Sequence, residues 1–167
     1  VARNQPARAF PGKFHRIDIS DLDNLDLALE QLFNEEGAIT GGCFFQRLRP
    51  DSGDLEAEIR TSVIASKKIV EKSLEHLDAE FDHPFTFVSS VNSKFVSRGV
   101  SLGYHISKAS IDVLVKFFAV HYGDLNARFN TVNPSTFVKP ENQKRYNEHF
   151  SKDRKSTRLN SSHQIIS

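Results

Sequence analysis

The sequence predicts an α/β fold: an open, doubly wound parallel sheet with helices on both faces. Three observations carry that prediction. Short apolar runs of strand length alternate with long amphipathic segments of helical period. The short runs stop at Asp, Ser, Asn or Pro, as strands do when they enter loops. The connections between them are long enough for the crossover helices that parallel strands need.

In order, Phe14–Ile17 reads as a strand ending at Asp18. Ser20 or Asp21 can cap a helix that runs through Leu25, Leu29 and Leu32 to Gly37. Ile39–Phe45 is the second strand. A long helix follows from about Leu55 to Leu77, with Leu55, Ile59, Val63, Val70, Leu74 and Leu77 at helical spacing. Phe85–Val88 is a short buried strand between Pro84 and Ser89. The next helix covers about Tyr104 to Tyr122 and stops near Gly123, and Arg128–Val132 is a strand ended by Pro134. The order is β-α-β-α-β-α-β. In such sheets ligands bind beyond the carboxyl ends of the strands, where Asp18, Ser90 and Asn133 lie.

Composition narrows the classes. The chain has 167 residues, 38% hydrophobic and 26% charged, enough for one domain with a core. No apolar run approaches the roughly 20 residues that cross a bilayer, and no secretory signal opens the chain. The single Cys43 excludes an internal disulfide and a cysteine-rich zinc site. The seven histidines show no metal-ligand spacing. A cytoplasmic location is the expectation, with neither membrane nor metal implied.

The chain contains no Met and opens at Val1-Ala2-Arg3-Asn4, which reads as the tail of a strand entering a loop. An internal fragment is therefore expected. The run Asp153-Arg154-Lys155-Ser156-Thr157-Arg158-Leu159-Asn160-Ser161-Ser162-His163 closely resembles the conceptual translation of a common sequencing adapter. Residues 153–167 are therefore expected to be a non-native tail, with residues 1–152 as the truncated domain. Without the tail's three basic residues and one acid, the 22 basic and 21 acidic residues leave a net charge of −1 in place of +1. No basic stripe remains that would bind nucleic acid.

The chemistry begins at Tyr104-His105-Ile106-Ser107-Lys108. A spacing of four places Tyr104 and Lys108 on one helical face. A phenol titrates near 10, and a neighbouring ammonium favours its ionised form, so the pair makes sense as a tuned proton donor or acceptor. Alone, the spacing is weak, and an ordinary exposed helix pair explains it as well. Its surroundings strengthen it: Ser89-Ser90 ends a buried strand fourteen residues before Tyr104, and Arg128-Phe129-Asn130-Thr131-Val132-Asn133-Pro134 is a strand that stops at proline.

Together these stretches resemble the short-chain dehydrogenases/reductases, in a divergent bacterial-type branch: a Ser-Ser strand, a Tyr-x-x-x-Lys helix, and an Arg-x-Asn-x-Val-x-Pro strand. The likeness covers about Val1 to Lys152. It implies a partial Rossmann-type domain lacking the family's first strand and helix and its C-terminal strand. It implies NAD(P)H as cofactor and a small carbonyl or alcohol as substrate. Ser90 matches the serine that orients the substrate oxygen, Tyr104 the tyrosine that passes a proton to or from it, and Lys108 the lysine that holds the nicotinamide ribose and tunes the tyrosine. Asp18 matches the acid beside the adenine ring, and Pro134 lies in the loop beside the nicotinamide. Arg3 follows the presumed second strand, where a basic residue favours the 2′-phosphate of NADP over NAD. A homodimer or homotetramer is implied for the full-length parent.

The departures are specific. No glycine-rich phosphate loop is present, since Gly41-Gly42 lies inside a strand and lacks the fingerprint spacing. Phe44-Phe45-Gln46 stands where the family has Asn-Ala-Gly, Thr61 or Ser62 where it has an active-site asparagine, and Ser135 where a glycine follows the proline. The Ser-to-Tyr spacing is one residue longer than the commonest. His105 reads as a neighbour without a chemical role, Glu56, Glu58 and Glu71 as residues of solvated helix faces, and Asp51-Ser52-Gly53-Asp54 as a turn lacking a calcium ligand series. Two further readings stand beside the oxidoreductase: a non-catalytic relative kept as a nucleotide sensor or assembly subunit, and an epimerase of the extended branch, which the short Ser-to-Tyr region fits less well. The 167 residues alone are expected to be inactive and poorly stable.

Overall fold

The computed structural model describes Asn4 and residues 11–48, 54–78 and 80–135. Arg3, the Asp51-Ser52-Gly53 part of the expected turn and the 153–167 tail lie outside the described residues. The described elements are α1 (Leu22–Glu36), β1 (Gly42–Phe44), α2 (Leu55–Ile59), a π-helical turn (Arg60–Ile64), α3 (Ala65–Leu74), β2 (His83–Val88), α4 (Leu102–His121) and β3 (Ala127–Val132). Single 3-10 turns occupy Val91–Ser93 and Gly123–Leu125. The three strands form one parallel sheet in the order β1-β2-β3.

The helix ends follow local chemistry. The Asp21 carboxylate accepts the Asn24 N–H at the start of α1, and Gly37, at φ +79°, closes its end. Asp54 caps α2 and Ser101 caps α4 in the same way, through the N–H groups of Ala57 and Tyr104. Each cap satisfies one of the N–H groups that a helix start leaves without a partner.

β2 is the central strand and carries the core. Phe85 and Phe87 point to one face. There Phe44 stacks on Phe87 with ring centroids 4.2 Å apart, and Phe129 on Phe85 at 5.0 Å. Val70 of α3 and Ile111, Val115 and Phe118 of α4 close the same cluster. α1 packs on α3 through a second cluster of Leu25, Leu29, Phe33 and Ala65. Adjacent parallel strands taken in sequence, each joined by a right-handed crossover, place their helices on one side. The opposite face, among the described residues, shows exposed Cys43, Pro84, Arg128 and Asn130.

Three sequence expectations need correction. Phe14–Ile17 is not a strand of the sheet. Only Arg16 makes a bridge there, and the described sheet pairs β1, β2 and β3 without it. The Ile39–Phe45 strand shortens to Gly42–Phe44, with Ile39 in an isolated bridge to Leu77. The long helix ends at Leu74, short of Leu77, and is broken by the π turn.

That turn also moves the buried face. Downstream, Ser66, Val70 and Ser73 face inward; upstream, the inward residues are Glu58, Thr61 and Ser62, not Ile59 and Val63. A π turn inserts one residue, so the stripe shifts by one position. Glu58, expected on a solvated face, is fully buried, whereas Glu56 is exposed and Glu71 pairs at the surface with Lys67.

The core assignment is testable by urea unfolding. Phe85→Ala, which empties a fully buried site, should cost roughly 3–5 kcal/mol. Cys43→Ala, on the exposed face, should change the midpoint little. Equal losses at the two positions would contradict the one-sided core.

Candidate active site

The site forms where β1, β2 and β3 end and where α4 begins. The β2–β3 ladder continues past the strands: the Ser89 N–H donates to the Val132 carbonyl at 2.9 Å, and the Val91 N–H to the Pro134 carbonyl at 3.2 Å. This brings the Ser89-Ser90 end beside Asn133 and Pro134. Ser90 is buried, and its hydroxyl oxygen accepts the Asn92 N–H at 3.2 Å, which starts the short 3-10 turn.

α4 begins two residues before the sequence-based limit, so Tyr104 lies in its first turn, its N–H bonded to the capping Ser101 hydroxyl at 3.2 Å. One turn on, Lys108 is only 3% exposed. Its ammonium donates to the Val88 carbonyl at 2.8 Å and lies 5.6 Å from the centre of the Tyr104 ring. The Ser89 hydroxyl donates to the Lys108 carbonyl at 3.1 Å, so side chain and main chain of Lys108 are both tied to the end of β2. The structure therefore brings Tyr104 and Lys108 together on one helical face. Among the described residues no direct hydrogen bond joins the Ser90 and Tyr104 hydroxyls.

Burial pushes the Lys108 ammonium down to about 8; Glu58 and Asp112 act against that shift, and Arg47 adds to it. Burial dominates because an ammonium loses its water shell and gains only one hydrogen bond in return.

Asp18 sits in the turn before α1, its carboxylate accepting the Ser20 N–H at 3.0 Å and the Ser20 hydroxyl at 2.6 Å. His105 is fully occupied: its Nε2 accepts the Ser97 N–H at 3.0 Å and its Nδ1 lies 2.8 Å from the Ser101 carbonyl, which only a protonated Nδ1 satisfies. Gln46, in the Asn-Ala-Gly region, donates to the Ser66 hydroxyl at 2.9 Å.

Two neighbours of the pair were missed from the sequence. Arg47, just past β1, lies over the Tyr104 ring at 4.7 Å. Its place beyond a strand's carboxyl end was a usable signal. Glu58 was hidden by the π turn, for which the sequence has no clear mark.

A buried ammonium, a serine at a strand end and a proline carbonyl bonded to the Val91 N–H lie together here, groups that would suit a dinucleotide. The phosphate-cradling glycines are absent from the sequence. Among the described residues no cluster of His, Cys, Asp or Glu could hold a metal ion, and no helix is long and apolar enough to cross a membrane.

The burial of Lys108 makes stability depend on pH. The unfolded chain, with Lys108 near 10.5, binds more protons than the folded one between about 8 and 10.5, so the folded state gains stability as pH rises through that window. Lys108→Met, which carries no charge, should lose its advantage over the unaltered chain by about 1 kcal/mol between pH 7 and pH 9, as read from urea midpoints. A difference that stays constant would contradict a buried ammonium.

No protein-family model matches the sequence, and no curated protein matches it. Solved structures do match the fold. A short-chain dehydrogenase/reductase from Serratia marcescens aligns with a TM-score of 0.62 at 19% identity, over 71% of this chain and 51% of that one. A 3-oxoacyl-[acyl-carrier protein] reductase from Brucella melitensis aligns at 0.70 and 14%, over 84% and 60%. ElxO, solved with NADP bound, aligns at 0.66 and 17%, over 83% and 58%. The chain spans about half the length of the first of these and about three-fifths of the other two. With its parallel sheet flanked by helices and its site at the strand ends, the chain has the fold of the short-chain dehydrogenases/reductases.

Proposed function

We propose that the protein to which this chain belongs is an NAD(P)-dependent oxidoreductase that interconverts a carbonyl and a secondary alcohol. The observation that carries this reading is the Tyr104–Lys108 pair: a lysine 3% exposed, held at the carboxyl end of the central strand and 5.6 Å from a tyrosine ring. The fold supports it, and so do the names of the matched structures, which are dehydrogenases and reductases.

When bound, the nicotinamide supplies or accepts the hydride at the substrate carbon. In the reductive direction, the Tyr104 hydroxyl gives its proton to the substrate oxygen as that oxygen gains charge. Lys108, as an ammonium, stabilises the phenolate left behind and holds the ribose. Ser90 orients the substrate oxygen toward Tyr104, and Pro134 lines the nicotinamide side. Asp18 is assigned to the adenine and Arg3 to the 2′-phosphate, so NADP is preferred to NAD. A structure solved with NADP bound shares the fold.

The substrate is a small molecule. The parent acts in the cytoplasm as a homodimer or homotetramer, binding neither nucleic acid nor membrane. Val113, Phe117 and Val120 on α4 and Ile64 in the π turn expose apolar side chains, as a helix-to-helix subunit contact requires. The 167 residues alone are inactive, since they lack the phosphate loop.

With the flanking gene sequence restored, Tyr104→Phe should lower turnover by at least about 10²-fold while cofactor affinity holds, because only the transferable proton is deleted. Lys108→Ala should damage both turnover and cofactor binding, and Ser90→Ala turnover alone. Cofactor titration by fluorescence beside a ketone panel measures each. Cofactor binding with no turnover on any carbonyl, and indifference to Tyr104→Phe, would establish the non-catalytic reading instead.

A further inference from the structure

The stretch between Ser90 and α4 holds one 3-10 turn, Val91–Ser93, and no other regular element. Its large apolar residues Phe95 and Val96 are 60% and 90% exposed, so these side chains do not anchor it. Hydrogen bonds do. The Ser93 hydroxyl donates to Asp112 Oδ2 at 2.6 Å, which ties the start of the loop to the middle of α4. The second tie runs through His105, the residue after Tyr104.

From the Ser90 hydroxyl the bonds run without a break to the first turn of α4. Ser90 Oγ accepts the Asn92 N–H at 3.2 Å, and Asn92 Oδ1 accepts the Ser97 hydroxyl at 2.7 Å. The Ser97 N–H donates to His105 Nε2 at 3.0 Å, and His105 Nδ1 donates to the Ser101 carbonyl at 2.8 Å. The Ser101 hydroxyl oxygen accepts the Tyr104 N–H at 3.2 Å. All of these bonds are partly buried, where a donor left without its acceptor is costly.

The two ring nitrogens of His105 have different duties. Nε2 must offer a lone pair to Ser97, and Nδ1 must carry a proton for Ser101, so the ring is neutral. The Nδ1 bond alone would mean little. His121, at the end of the same helix, bonds the Phe117 carbonyl through its own Nδ1 at 2.9 Å and is exposed. Such a bond stays within one helical turn. The bond to Ser97 crosses eight residues and takes hold of the loop.

We propose that His105 is a positioning residue for the Ser90–Tyr104 pair. By clasping Ser97, it ties the loop that follows Ser90 to the helical turn that carries Tyr104, and so sets one hydroxyl relative to the other. It touches no reacting atom. The inference rests on Ser90 and Tyr104 acting on one substrate oxygen. Since no direct hydrogen bond joins their hydroxyls among the described residues, their alignment depends on what connects them.

The test separates the two bonds of the ring. His105→Gln puts an amide oxygen where Nε2 accepts. His105→Asn puts an amide nitrogen near the place of Nδ1 and nothing at Nε2. Amide hydrogen exchange, followed by NMR on the whole chain without cofactor, reads the Ser97 N–H. It should exchange up to about tenfold faster in His105→Asn and stay near the unaltered rate in His105→Gln. In the parent with its flanking sequence restored, His105→Asn should lower kcat about 10- to 100-fold, while the cofactor Kd from fluorescence titration holds. His105→Gln should recover most of that loss. Unchanged Ser97 exchange in a folded His105→Asn protein overturns the clasp. Faster exchange with an unchanged kcat overturns the positioning role and leaves the catalytic reading standing. An unaltered parent that turns over no carbonyl overturns the catalytic reading, and the positioning role with it. Should His105→Asn not fold, the ¹⁵N spectrum of the His105 ring in the unaltered chain decides: a proton on Nδ1 with a bare Nε2 supports the proposal, and a proton on Nε2 overturns it.

Discussion

An ammonium buried at the end of a parallel sheet must be held by something, and in this chain the hydrogen bond from Lys108 to the Val88 carbonyl holds it at 2.8 Å. That bond fixes the first turns of α4 against the central strand. The Ser89 hydroxyl repeats the attachment through the Lys108 carbonyl. With α4 so placed, Tyr104 stands at the strand ends, and Gly103 sets how near α2 can come. The core below serves the same geometry: Phe118 of α4 packs on Phe129 of β3 with ring centroids 5.3 Å apart, locking the far end of the helix to the sheet. Glu58 and Asp112 act against the effect of burying the charge.

Much of this was legible in the residues. α1, with Ser20 or Asp21 to cap it and Gly37 to stop it, and the buried run of β2 follow from period and capping, while α4 starts two residues before Tyr104, at a Ser101 cap. The Tyr-x-x-x-Lys spacing alone places its two side chains on one helical face. The illegible parts have physical causes. The Phe14–Ile17 segment has strand-like composition, but a strand is made by its neighbours, which composition does not supply. The helix between β1 and β2 carries a π turn at Arg60–Ile64, and a stripe read at constant period from Val70 arrives one residue late at Ile59. That single residue turned Glu58 from a buried acid into an apparent surface one.

Fold and chemistry are separate claims here. The fold rests on coordinates and on structures with which the chain shares under a fifth to a fifth of its residues. The chemistry rests on a few side chains at the strand ends. The spacing of Tyr104 and Lys108 recurs by chance in ordinary helices; a lysine 3% exposed and bonded to a strand-end carbonyl is a costlier feature, and surface packing alone gives no reason to keep it.

The proposed chemistry is tested most directly by following the hydride itself. The full-length parent would be given NADPH deuterated at C4 and a panel of ketones, and the alcohols analysed by mass spectrometry. One deuterium at the carbinol carbon, formed by the unaltered protein and nearly lost in Tyr104→Phe, is the result expected. Bound cofactor with no deuterium in any product would contradict it.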